Sequence, residues 1–422
     1  MPNNWKTYKL EELLTVLTDY HANGAYKKLK ANVTLLDKED YAVMIRTTNL
    51  ERNNFDDLIY VDKHAYNFLS KSKVNPGDIL MNKIANAGSI YQMPNLNRPV
   101  TLAMNLFLLR FNEKVNQYYL FYHLKAKEQY IKSFSAGSVT KTITKDAVRN
   151  LEFKIPPLPE QKAIASILST IDDKIENNLA INKTLEEMAM ALYKHWFVDF
   201  GPFQDGKFVD SELGLIPEGW KVKRLDEVAF KNSKTFDFKG KEKVVFVNTG
   251  DVQHGSFLHN NYSEIKGLPG QAKKVIEPND ILYSEIRPKN KRYAYVDFDS
   301  SDYVVSTKFM IIRNNEKINN RLLYRILTRQ ETIDEFQMIA ESRSGTFPQI
   351  TFDVIGHFPI VLPDIRIQNR FQSIVDPLEL KQTNNLNEIK SLTKQRDTLL
   401  PKLISGEVRL KEFQEQLESI SY

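Results

Sequence analysis

The sequence predicts an α+β fold in which two similar mixed α/β globular domains are separated by a pair of long antiparallel coiled-coil helices, as a pseudo-two-fold internal repeat. Three observations carry this: text repeated at long range, a proline cluster closing each copy, and matching heptad seams. Val74-Asn75-Pro76-Gly77-Asp78-Ile79-Leu80 returns as Ile276-Glu277-Pro278-Asn279-Asp280-Ile281-Leu282, 202 residues later. Ile143-Thr144-Lys145-Asp146 returns as Ile350-Thr351-Phe352-Asp353 at an offset of 207, and Trp5-Lys6 with Leu10 as Trp220-Lys221 with Leu225 at 215. Several matches in one order, with drifting offsets, mean two copies of one plan with insertions and deletions.

Residues 1–158 form the first expected domain, in strand-like text of β-branched and aromatic runs broken by Gly, Asn and Asp. Ile155-Pro156-Pro157-Leu158-Pro159 closes it, because proline tolerates only the first turn of a helix. A long helix is expected over 159–200. Its apolar residues alternate by four and three: Ile164, Leu168, Ile171, Ile175, Leu185, Ala189, Leu192 and Trp196, interrupted by Asn178 and Asn182. A Gly- and Pro-rich linker fills 201–219, and a second domain is expected over 220–362.

The second helix is expected over 363–405, before a tail at 406–422. Its seam is Phe371, Val375, Leu378, Ile389, Leu392, Leu399 and Leu403, with Gln382, Asn385 and Arg396 as polar members. Pro377 is expected to kink or restart it, and Pro401 to lie near its end. Two surface helices on separate domains would not need seams in matching register, so pairing is favoured. Antiparallel pairing sets Asn182 opposite Asn385, and Asn178, Asn182 and Asn385 become the residues that fix register. A seam of roughly 32 residues spans about 48 Å.

Composition bounds the function. The 422 residues are 42% hydrophobic and 26% charged, enough for packed cores, and contain no cysteine, which removes disulfides, thiolate metal sites and cysteine nucleophiles. Met1 to Trp5 shows no signal peptide, and the apolar stretch from Thr101 to Phe111 is broken by Asn105 and Arg110, so a cytoplasmic protein is expected. The net charge of +5 is mild, but Arg287-Pro288-Lys289-Asn290-Lys291-Arg292 packs four cations into six residues.

No catalytic set emerges. Gly214 to Gly219 has phosphate-loop spacing, but Trp220 stands where lysine is required; no Gly-x-Gly-x-x-Gly or His-x-x-x-His occurs, and no metal site is expected. A nuclease reading rests on Asp280 and Glu285 with Arg287; against it, both Asp78 and Asp280 sit as turn residues entering a strand. Recognition is the other reading of these regions, since Arg, Lys, Asn and Gln read base edges and phosphates. Three recurrent polar segments supply candidates: Arg46, Thr48 and Asn49 with Asn248 and Thr249; Lys83 and Asn86 with Arg287, Lys289, Asn290, Lys291 and Arg292; Lys141 and Thr142 with Arg343, Thr346 and Gln349. Each segment also reads as an ordinary duplicated turn.

Two variable regions, each followed by a long helix, with Ile155-Pro156-Pro157-Leu158-Pro159-Glu160-Gln161-Lys162 leading into the first, resemble the specificity subunit of Type I restriction–modification systems. Gly214-Leu215-Ile216-Pro217-Glu218-Gly219-Trp220 and Leu400-Pro401-Lys402-Leu403-Ile404-Ser405-Gly406 match it too, whereas the second helix begins at Pro363-Asp364-Ile365-Arg366-Ile367-Gln368 in place of the compact motif. The resemblance implies that each globular region is a target-recognition domain for one half of a bipartite, asymmetric double-stranded DNA target. The helices would set the spacing and dock two modification (methyltransferase) subunits, beside restriction subunits that act as motor and nuclease. It implies a non-catalytic chain without its own cofactor, with S-adenosylmethionine, ATP and Mg²⁺ in the partners. The off-seam residues Leu179, Met188, Tyr193 and Phe197 would contact those subunits or pack on the chain's own domains. A stand-alone endonuclease and a coiled-coil scaffold that never meets DNA are the competing functions.

Overall fold

The computed structural model describes residues 5–55 and 57–410. The first four residues, part of the expected start, and 411–422 of the expected tail lie outside the described residues. The chain divides into two units, residues 1–179 with 386–422, and residues 180–385.

In the first unit, strands Leu14–Asp19, Leu106–Phe111, Ile79–Asn82 and Ile90–Gln92 form an antiparallel sheet in that order. A second sheet runs Ile59–Val61, Ala42–Ile45, Val100–Leu102, Lys73–Val74, with its central pair parallel. Lys6–Lys9 pairs with Glu152–Ile155 and ties the chain start to the proline cluster. Val43, Ile45, Leu80, Leu102 and Leu108 bury one core, and Leu10, Ile79, Phe107, Tyr119 and Leu168 another.

The second unit repeats this plan. Ala229–Asn232, Phe309–Asn314, Ile281–Ser284 and Tyr293–Tyr295 form the first sheet. Tyr262–Glu264, Lys243–Val247, Tyr303–Ser306 and Ala272–Val275 form the second, again with a parallel central pair. Lys221–Arg224 pairs with Pro359–Leu362. Helices Gln117–Ala126 in the first unit, within the stretch expected to be strand-like, and Asn320–Thr328 in the second are capped by Asn116 and Asn319. The expected linker is no plain loop: Phe208–Ser211 and Gly214–Pro217 form a hairpin.

The long helices run from Leu158 to Phe197 and from Ile365 to Ser405. Pro377 does not restart the second helix; it lies inside a helical run of 41 residues. Within the first unit Asn178 donates to Glu388 (2.8 Å) and Arg396 to Asp172 (2.9 Å), so the segments run in opposite directions. Within the second, Asn385 donates to Asn182 Oδ1 (2.8 Å), and Gln382 and Asn182 exchange side-chain to backbone bonds of 3.1 and 3.3 Å. This pairing is antiparallel too. Among the described residues no helix is long and apolar enough to cross a membrane.

Candidate nucleic-acid interface

The repeated Pro-Gly-Asp and Pro-Asn-Asp turns set the geometry. Gly77 (φ 82°) and Asn279 (φ 75°) adopt the left-handed conformation that Gly and Asn tolerate best. The following aspartate closes the turn, accepting from Asn75 N (2.7 Å) in one unit and from Glu277 N (2.8 Å) in the other. Each then takes a forked arginine: Arg110 on Asp78 at 2.8 and 2.6 Å, Arg313 on Asp280 at 2.5 and 3.1 Å. These carboxylates raise the pKa of both guanidiniums, against the opposing effect of burial. Asp280 is 1% exposed and held by Arg313, a structural role that does not favour the nuclease reading, and Glu285 sits near Lys231 (3.7 Å).

Past each of these strands the chain forms a hub met by a second recurrent segment and by a residue just beyond the third. In the first unit the hub is 83–86. Ile143 N donates to Lys83 O (3.0 Å) and Ala85 N to Lys141 O (2.9 Å), which brings in Lys141 and Thr142. Glu51, on the short helix that follows Arg46, accepts from Asn82 (2.8 Å) and Asn86 (3.4 Å) and brings in the third segment. In the second unit the hub is 287–292. Arg287 N donates to Pro348 O (3.1 Å) and Arg287 Nη2 to Thr346 O (3.4 Å), while Gln253 Nε2 donates to Asn290 O (3.0 Å). A non-glycine residue in left-handed backbone marks both hubs, Ala85 (φ 66°) and Arg287 (φ 44°), joined by Lys291 (φ 52°). Such conformations cost about 1–3 kcal/mol each and collect at functional sites.

The hubs differ in charge. Arg287, Lys289 and Arg343 are exposed, Lys291 and Arg292 half-buried, and among the described residues none has a carboxylate within ion-pairing reach. Thr346 is exposed, and Asn290 and Gln349 are half-buried beside them. In the first unit Thr48, Asn86, Lys141 and Thr142 are exposed, and Arg46 leans on the exposed Asp57 (3.2 Å). Asn248 is half-buried and caps the turn at Thr249.

Three sequence candidates are corrected. Asn49 is buried, its oxygen accepting from Arg46 and its amide donating to Asn54 O (3.1 Å) and Asp57 O (2.8 Å), so it holds a loop and has no capacity left for a base. Thr249 is buried. Lys83 is engaged by Asp19 at 2.6 Å, an anchor that no repeated text pointed to. Burial favours the neutral form of Asp19, but Lys83 and Lys145 outweigh it and hold its pKa below the usual carboxylate value.

On the long helices Leu179 and Met188 are exposed, as are Leu380 and Leu386, which the seam pattern did not single out. Tyr193 and Phe197 are not open interface residues. They stack at 5.4 Å, and Phe197 meets Phe371 edge-on at 4.8 Å inside the second unit's core. Among the described residues no group of three or more His, Asp or Glu side chains is placed to hold a metal ion.

Comparison with known proteins gives this geometry a context. The family model described as Type I restriction modification DNA specificity domain matches residues 2–187 and again 217–394. The HindI specificity subunit of Haemophilus influenzae is 50% identical over 163 residues, 38% of this chain; that match spans only 36% of the relative's length. The MjaIX specificity subunit of Methanocaldococcus jannaschii is 28% identical over 374 residues, 84% of each chain. The fold is shared with the crystal structure of the S subunit of a Type-I restriction-modification system from M. genitalium, at a TM-score of 0.56 and 16% identity, over 96% of this chain and 97% of that one.

Proposed function

The chain belongs to the family of Type I restriction–modification DNA specificity proteins, and from that premise we propose that each unit reads one half of a bipartite, asymmetric double-stranded DNA target. The observation that carries this is an equivalent hub in each unit, met by the segment around Lys141 or Thr346 and by a residue just beyond the third polar segment, Glu51 or Gln253, and built from different residues. Equivalent frames give equivalent docking; different side chains give different half-sequences. Thr48, Asn86, Lys141 and Thr142 form the first reading surface, with Arg46 at its edge. Arg287, Lys289, Asn290, Lys291, Arg292, Arg343, Thr346 and Gln349 form the second, with Asn248 bracing its loop. Lysines serve the phosphates, while arginine, asparagine and glutamine also reach base edges.

The exposed apolar residues Leu179, Met188, Leu380 and Leu386 suit docking of two modification subunits, with restriction subunits joining the assembly. Methyl transfer with S-adenosylmethionine and ATP- and Mg²⁺-dependent cleavage are assigned to those partners; this chain contributes sequence choice and no catalytic group. Binding of the chain, together with its modification subunits, to a randomised duplex library tests the reading. Selection of two separated half-sequences, each lost on scrambling that half alone, is expected. A contiguous motif, or binding indifferent to sequence, refutes it.

A further inference from the structure

Equivalent residues at the base of the two hubs carry opposite charges. Lys83 and Glu285 are equivalent: their amides donate to Asn105 O (2.8 Å) and Lys308 O (2.9 Å), and their carbonyls accept from Ile143 N (3.0 Å) and Ile350 N (2.9 Å). In the first unit the neighbouring strand ends on Asp19, whose carboxylate takes Lys83 on one oxygen (2.6 Å) and Lys145 on the other (3.1 Å). Lys83 is further held 5.2 Å from the centre of the Phe107 ring. The strand registers, Thr18 on Leu108 and Asn232 on Ile311, put Ser233 where the first unit has Asp19. The second unit thus lacks this carboxylate, and Phe352 replaces Lys145. The Asp19 cluster borders a shallow cavity that also includes His21, Phe107 and Thr144, next to the Lys141 and Thr142 segment.

We propose that Asp19 is a specificity-determining, positioning residue of the first reading surface: by engaging Lys83 and Lys145 together it withholds two cations from DNA phosphates. This rests on the DNA-reading function proposed above. Lysines that reach phosphates bind every sequence alike, whereas specificity is the difference between right and wrong DNA. The second surface, with its unpaired cations, supplies the salt-sensitive grip; the first selects by its neutral groups and Lys141.

The test uses the full chain with its modification subunits, on duplexes carrying the intact target or a scrambled first half, across a salt series. In Asp19→Asn the freed lysines engage phosphate. The slope of log affinity against log salt on scrambled DNA then steepens by about 0.9 to 1.8, for one or two new contacts, and the ratio of specific to non-specific affinity falls. An unchanged slope in a folded Asp19→Asn complex overturns the proposal. The charge-free triple variant Asp19→Asn, Lys83→Gln, Lys145→Gln decides independently of how well the single variant folds. A wild-type slope supports withheld lysines, and a slope shallower by about 0.9 to 1.8 shows that they contact phosphate already. Wild-type complex that fails to distinguish intact from scrambled DNA refutes the DNA-reading function itself, whatever the slopes.

Discussion

Each long helix begins with one buried glutamine, and the consequences of replacing it follow from three hydrogen bonds. Gln161 accepts from Asn116 N (2.8 Å) and donates to Pro156 O (2.9 Å) and Lys114 O (3.3 Å). Gln368 makes the same set with Asn319 N (2.8 Å), Pro363 O (3.0 Å) and Lys317 O (3.1 Å). Both side chains are buried. Gln161→Met keeps length and volume but leaves one amide and two carbonyls without partners. Each lost bond costs about 1 kcal/mol net and up to about 3 where the group stays dry, against about 1–2 returned by burying the thioether. Over three bonds the net expectation is a loss of about 1–8 kcal/mol, confined to the first unit. Hydrogen exchange followed by mass spectrometry reads it locally: the peptide over 112–120 loses protection in Gln161→Met and that over 315–323 does not, with the reverse in Gln368→Met. A cost below about 1 kcal/mol, or equal deprotection of both peptides, refutes the reasoning.

The other predictions concern buried polar groups. Asn385 is buried with its own oxygen unpartnered, so Asn182→Leu with Asn385→Leu raises stability by about 1–3 kcal/mol while loosening register. Urea midpoints, and cross-links between cysteines introduced one heptad out of register, check this; a destabilised double variant contradicts it. Arg313→Met strands the buried Asp280 carboxylate and costs about 3–5 kcal/mol, most of it recovered by adding Asp280→Asn; a loss under about 1 kcal/mol in calorimetry shows that the pair does not hold the turn. Burial, reinforced by Lys127, pulls the pKa of His123 down from 6.5 to about 3. Below pH 6.5 the unfolded chain binds the proton and the folded chain does not, so stability falls as pH drops from about 6.5 to about 3. His123→Phe should flatten that limb of the unfolding-versus-pH curve.

The duplicated plan was legible because it rests on text that must recur. An aspartate closing a turn before an Ile-Leu strand, a glutamine after a proline cluster and a heptad seam each serve backbone geometry and repeat in both copies. The asparagine contact between 182 and 385 follows from the same seam. What side chains do across loops was not legible. Asn49 and Asn86 belong to similar polar segments, yet one is saturated inside a loop and the other exposed, because Asp57 and Asn54 fold back over the first. Lys83 reads as a free cation until Asp19, 64 positions earlier, is brought to it. Tyr193 and Phe197 lie off the heptad seam, but Trp220 and Phe371 cover Phe197 within the core of 180–385. Pro377 is accommodated because a helix that has already started loses one backbone bond there and can retain the turns on either side.

The division of reading between two hubs is tested most directly by sequencing methylated genomic DNA from cells expressing the wild-type chain or the Lys291→Gln, Arg292→Gln variant, each with the same modification subunits. A split motif is expected for the wild type and, for the variant, weaker modification with degeneracy confined to one half. Relaxation spread over both halves, or a motif without a gap, would contradict it.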